Sequence, residues 1–251
     1  MSHFSFGQSA PTFAQISITR QAGQVLPLGP VIEFEVTVDT PQKYRELLRE
    51  WEGVSVNKVT QNTLSIALKE EYLSIASVID QYRKSSFVID YDEPQVQTVL
   101  EQFKQQYGAS PTLPIGDALE GFVSGYITEP TYIHDFAFAS TVATTKSGDC
   151  TEFAVLTTAL ARALGTPSRV VVGTVIVESA EAIEAYGHAW NELFIDDKWV
   201  RVDAALATVQ SVRKFYLPGH VLDNEGLGYA LAFGKSAFTL PQRIADVRAV
   251  R

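Results

Sequence analysis

Gly148-Asp149-Cys150-Thr151-Glu152-Phe153-Ala154 holds the only cysteine of this 251-residue chain. The residues after it, Val155 to Leu164, read as a helix. Phe153, Leu156, Leu160 and Leu164 recur at spacings of three and four, the period of one buried helical face. Gly165 and Pro167 then stop it. Cys150 is thus placed at or just before a first helical turn, where unpaired N–H groups and the positive end of the dipole favour an anion. A thiolate is an anion, so this position is expected to lower the thiol pKa from about 8.5 toward neutrality. Asp149 opposes that by its charge, unless it serves as the helix cap. Taken alone, a single cysteine is more often a small buried hydrophobe than a nucleophile. The rest of the chain shifts that balance.

Composition narrows the class. With 46% hydrophobic and 20% charged residues the chain can bury a sizeable core and is not disordered. A net charge of -9 and a pI near 5.0 argue against a nucleic-acid or anionic-membrane partner, which would need basic patches. One cysteine excludes an internal disulfide and a cysteine-based zinc cluster. The histidines are His3, His134, His188 and His220, with no His-x-x-x-His pair, so neither a metal nor another cofactor is expected. No apolar run is long enough to span a membrane. The first residues lack a basic segment followed by an apolar one, so the protein is expected in the cytoplasm if Met1 is the native start. It is expected outside the cytoplasm if a leader has been trimmed away.

Residues 1–14 read as a loose polar arm. Ile32, Phe34, Val36 and Val38 share one face at period two, a strand. Thr40 and Pro41 open a short helix to Trp51, ended by Gly53. Val54–Val59 and Thr63–Leu68 alternate across Gln61-Asn62 as a hairpin. Residues 1–92 therefore form a β-rich N-terminal region without a pattern that carries chemistry. Residues 74–84 have moderate helical character. Asp92 is the expected cap of a helix from Glu93 to Tyr107, and a second helix covers Ile115 to Ile127. Residues 131–143 are irregular and aromatic (Tyr132, Phe136, Phe138) and are expected to line whatever cleft faces Cys150, although each aromatic taken singly reads more often as core.

Ser168–Val177 is a β-branched run, hence a buried strand. Glu178 to Tyr186 reads as a polar loop or a turn or two of helix. Gly187–Ile195 and Lys198–Asp203 then form an antiparallel hairpin across Asp196-Asp197. His188, Trp190, Glu192 and Phe194 share one face of the first strand; Trp199, Arg201 and Asp203 share one face of the second. A glycine-containing loop around Gly226 and Gly228 precedes an expected apolar strand near Ala230–Phe233. Residues 243–251 are expected to fray.

Cys150, His188 and Asp203 stand out together. A cysteine nucleophile needs a base, and the base needs an acceptor to fix its tautomer. His188 and Asp203 fall at the open end of one hairpin, on faces that can coincide. Singly, His188 reads as a core histidine and Asp203 as a turn residue. The backbone N–H of Cys150 would serve a developing oxyanion. Tyr126, Tyr132 and Trp190 are the candidates for a second donor.

Three blocks in order are similar to the transglutaminase-like superfamily in its bacterial branch. They are Gly148–Ala154 with Ala159–Gly173, then Gly187-His188-Ala189-Trp190-Asn191-Glu192, then Trp199-Val200-Arg201-Val202-Asp203-Ala204. The resemblance covers roughly residues 115–222. Ala204 stands where a proline is common and Thr166 where an isoleucine is common. The resemblance implies an α+β, papain/transglutaminase-like core with a cysteine helix packed on an antiparallel sheet. It implies Cys150 as nucleophile, His188 as base and Asp203 as its partner, within a catalytic domain over residues 93–251. A protein or peptide substrate is implied, attacked at a carboxamide or peptide bond, by a cysteine peptidase, amidase or transglutaminase. The other expectation is a binding or scaffold protein that keeps the fold without the activity.

Overall fold

A computed structural model describes residues 12–108, 111–131, 136–238 and 240–250. The expected arm falls, up to residue 11, outside the described residues. In order come β1 (Gln15–Arg20), β2 (Val31–Thr37), α1 (Pro41–Leu47), β3 (Trp51–Val59) and β4 (Thr63–Ser74). The helical part follows: α2 (Pro94–Tyr107), α3 (Ile115–Tyr126), β5 (Glu129–Pro130), α4 (Ala139–Thr145), β6 (Ser147–Gly148) and α5 (Cys150–Ala163). The chain ends with β7 (Ser168–Glu178), β8 (Ile183–Ile195), β9 (Lys198–Val202), β10 (Arg213–Val221), α6 (Tyr229–Phe238) and β11 (Arg243–Ala249). The class is α+β, with the cysteine helix lying on an antiparallel sheet.

Among the described residues, nine strands join one sheet in the order β10-β7-β8-β1-β11-β2-β4-β3, with β9 also paired to β8. Two turn-forming aspartates set the β8–β9 hairpin: Asp196 and Asp197 have φ of 48° and 60°, the left-handed pair that matches strand twist. The register pairs Phe194 with Trp199 and Glu192 with Arg201, so the two expected faces coincide. One core gathers α2, α3, α4 and α5 with the inner face of β7 and β8. A second lies among β1, β2, β4 and β11, around Ile32, Phe34, Ile66 and Ile244.

The other edge of β8 is divided between two partners. β9 pairs with residues from Asn191 to Ile195, and β1 with Ala185 and Tyr186. Gly187 closes the β1 side by bonds with Phe13 and Ala14. His188, Ala189 and Trp190 therefore sit where neither neighbour continues.

Several local expectations change. The cysteine helix is buried on every side from Cys150 to Arg162, because it lies between the sheet and the helices above it. The helix after Thr40 ends at Leu47, Thr40 gives it no side-chain cap, and Trp51 and Gly53 lie in β3. Trp51 is drawn into the strand by its indole N–H, which donates to buried Glu192. Residues 75–84 hold one 3-10 turn, Asp80–Arg83, and Glu93 rather than Asp92 is the N-cap of α2. Ala139–Thr145 is a helix within the stretch expected to be irregular. The expected loop after Glu178 is a tight hairpin, Ser179 N–H donating to Ala182 O at 2.9 Å, so β8 starts at Ile183.

The tail differs most. The expected strand near Ala230–Phe233 belongs to α6. The expected frayed end forms β11, parallel to β1 and antiparallel to β2. Both depend on partners far away in sequence. Arg162 of α5 grips Glu225, just before α6, by two bonds of 2.7 Å, and neither side chain is exposed.

Ile244 is fully buried between β1 and β2. Ile244→Ala should lower unfolding free energy by about 2–5 kcal/mol, the usual cost of such a cavity. Urea unfolding reads this; a frayed tail would give no change.

Candidate active site

Cys150 is the first residue of α5. Asp149 caps the helix, its Oδ1 accepting from Thr151 N–H at 2.8 Å, while Glu152 reaches back to accept from Asp149 N–H at 2.9 Å. This is a capping box written in the sequence as Asp149-x-x-Glu152. Gly148 has φ of 154°, and a Cβ there would lie 2.2 Å from that of Glu152. Only glycine lets Glu152 fold back in this way.

The thiol has no exposed surface. Burial pushes its pKa well up, and the charges of Asp149, Glu152 and Asp203 add to that. Against them works the backbone amide of Ala189, on the open stretch of β8. The expected lowering by the helix start is therefore overturned in this closed arrangement, where desolvation is the largest effect.

His188 stands on β8 next to that amide, and is also fully buried. Its Nε2 lies 2.9 Å from Asp203 Oδ2. Its Nδ1 is buried with no hydrogen-bond partner among the described residues. Asp203 follows the last residue of β9 and caps the 3-10 turn Ala204–Leu206, its Oδ1 accepting from Leu206 N–H at 3.3 Å. Burial raises its carboxyl pKa, but His188 and the Tyr216 hydroxyl more than offset this and hold it below the ordinary value. An ionised carboxylate only accepts, so the ring proton of neutral His188 sits on Nε2 and the lone pair on Nδ1. The structure thus bonds His188 to Asp203, and no hydrogen bond joins Cys150 to the ring among the described residues.

Tyr216 was missed by the sequence reading. Its hydroxyl donates to Asp203 Oδ2 at 2.6 Å. No local signal marks it, because β10 reaches Asp203 across β7 and β8 only in the folded sheet. Two candidates for the second oxyanion donor are otherwise engaged. Tyr126 donates to Ala143 O at 2.6 Å, and Trp190 Nε1 donates to Tyr72 Oη at 2.9 Å. Tyr132 lies outside the described residues.

A cavity of about 280 Å³ opens beside Gly148 and Glu152, walled by Phe136, Phe138 and Tyr229. The aromatic stretch does line a cleft next to the helix start. One carboxylate ties its rim down: Glu152 Oε1 accepts from Ala137 N–H at 2.9 Å. The Tyr229 hydroxyl holds Phe136 O. Among the described residues no group of three or more His, Cys, Asp or Glu side chains could hold a metal ion. None of the described helices is long and apolar enough to cross a membrane.

A buried cysteine helix on an antiparallel sheet, with a histidine on one strand and a carboxylate beyond the next, defines a papain-like core. Residues 101–204 match the model of the transglutaminase-like superfamily. The fold is also similar to a protein from Cytophaga hutchinsonii put forward as a cysteine protease, at 16% identity, 76% of this chain, 77% of that one and a TM-score of 0.42. It is similar to the periplasmic domain of TgpA from Pseudomonas aeruginosa, at 14% identity over 77% of this chain and 75% of that one, with a TM-score of 0.45. No curated protein sequence matches the chain.

Burial, followed by the charge of Asp149, raises Glu152 from 4.5 to about 7. The folded chain thus holds this proton more tightly than the unfolded chain does. Stability should therefore fall as pH rises from about 4.5 to about 7. Urea unfolding at several pH values should show that fall in the wild type and lack its share in Glu152→Gln.

Proposed function

We propose that this protein is a thiol-dependent acyl-transfer enzyme acting on carboxamide or peptide bonds of a protein or peptide substrate. Cys150 is the nucleophile, His188 the base and Asp203 the partner of the base. The supporting observation is the division of labour on the His188 ring. Nε2 is held by a carboxylate, and Nδ1 is left buried without a hydrogen-bond partner among the described residues.

The resting thiol is protonated, so Nδ1 takes its proton as the sulfur attacks the carbonyl carbon. Asp203 stabilises the charged ring. The oxyanion forms at the start of α5, where the free N–H groups and dipole favour it. Collapse breaks the C–N bond, the departing amine takes the proton from His188, and a thioester remains. Water or a second amine then attacks the thioester, with His188 again as base; collapse breaks the C–S bond, and the departing sulfur takes the proton back from His188. Hydrolysis is favoured over transamidation, because water is always present and an amine site would have to be built.

Residues 93–251 form the catalytic domain in this reading, and residues 1–92 a β-rich region that supports it. The enclosed sulfur and its raised pKa favour one other reading, a silent scaffold that keeps the fold alone.

A peptide-library cleavage screen, with intact-mass detection of the acyl-enzyme, separates the two. Wild type should form a thioester on Cys150 and turn over. Cys150→Ala should do neither, and His188→Ala should lose on the order of 10³-fold or more. Turnover surviving in Cys150→Ala would defeat the nucleophile. A wild type that neither acylates nor turns over would leave the scaffold.

A further inference from the structure

We infer that Tyr216 is a positioning residue for the Asp203 carboxylate, and that the N-terminal β region holds it in place through Arg201. The inference rests on the proposed roles of His188 and Asp203. It adds a residue outside that triad and a purpose for residues 1–92.

One oxygen carries the argument. Asp203 Oδ2 takes both the His188 Nε2 bond at 2.9 Å and the Tyr216 hydroxyl bond at 2.6 Å. The other oxygen is spent on the turn after β9. The two donors fix which way the carboxylate faces, and the phenol draws part of its charge. Tyr216 is buried.

The phenol is itself held from behind. The Arg201 guanidinium lies 4.2 Å from the Tyr216 ring centroid and 5.5 Å from that of Tyr72. Arg201 donates to the backbone oxygen of Glu70 and the carboxylate of Glu71, each at 3.2 Å. Glu70, Glu71 and Tyr72 all belong to β4. Tyr72 also receives the Trp190 indole N–H, and Trp190 lies nearly parallel to the His188 ring at 6.2 Å. Gly173 of β7 makes room for that indole, since a Cβ there would sit 2.5 Å from its Cη2. Strand β4 thus backs both members of the His188–Asp203 pair.

Other charges face Asp203 as well. Glu120 of α3 accepts from its backbone N–H at 3.1 Å, and Cys150 of α5 and Arg201 of β9 lie within its field. None of these shares Oδ2 among the described residues.

Tyr216→Phe keeps the ring, its packing and the Arg201 contact, and removes only the donor. The carboxylate charge then falls more fully on the His188 side, which favours the protonated ring. The acid limb of the kcat/KM profile should move to higher pH by at least about half a unit. kcat should fall about tenfold, as outer-shell partners of catalytic groups typically cost. KM should stay within about twofold. Arg201→Gln should move the limb the same way by less. In the full-length protein, the His188 Nε2–H resonance in 1H–15N spectra should shift in Tyr216→Phe, with no substrate present. An unmoved limb or an unmoved resonance in a folded Tyr216→Phe overturns the inference. Absence of turnover in the wild type would defeat the enzymatic reading alone, because the resonance still tests the positioning.

Discussion

Strand β8 has to serve two faces at once. Alternation sends Ala189, Asn191 and Leu193 one way, toward the cysteine helix. Asn191 fixes that contact by donating to Ala154 O and Thr158 Oγ1 at 2.8 and 2.7 Å. The same alternation sends Trp190 and Glu192 the other way. These are large and polar, and here both are buried. A buried polar group without a partner is costly, so the second face needs a second layer. That layer is the β-rich N-terminal region. Trp190 finds Tyr72, and Glu192 finds Trp51 and Arg169. The molecule is organised by a strand that cannot be satisfied from one side.

Magnitudes explain the state of the thiol. A helix start is worth about 0.3–1 kcal/mol to an anion at an exposed site, and up to about 2 when partly buried. Removing a charge from water costs several kcal/mol per ion even after relaxation. The second effect wins when the helix is surrounded, and Asp149 and Glu152 add like charge beside the sulfur. The capping box that builds the helix start is thus the same device that disfavours a resting thiolate. Glu152 joins the two themes, since one oxygen completes the box and the other ties down the rim of the neighbouring cavity.

Local chemistry explains what could be read from the chain. The apolar spacing with Gly165 and Pro167 announced α5, and Asp196-Asp197 announced the hairpin that carries His188 to Asp203. Period-two burial announced β2, where Ile32, Phe34 and Val36 are all fully buried. What escaped is what needs distant partners. Residues 243–249 look like a charged tail because their strand character exists only between β1 and β2. Ala230–Phe233 reads equally well as strand or helix until Arg162 fixes Glu225 ahead of it. Tyr216 is one aromatic among several in sequence, and its hydroxyl gains meaning only when β10 lies beside β7. Burial on all sides of α5 also cannot be read from the spacing of its largest residues, because its alanines and threonines are buried too.

The division at residue 92 takes on a particular sense in this light. The β-rich region is not closed by the first 92 residues. Its sheet runs β1-β11-β2-β4-β3, so the last strand of the chain sits between the first two. β1 also pairs with β8, beside the stretch at His188, Ala189 and Trp190 where neither neighbour continues. β1 therefore links the strand that carries His188 to β11. The long-range pairing that made the tail illegible in sequence also makes the β-rich region part of the same sheet as β7 and β8.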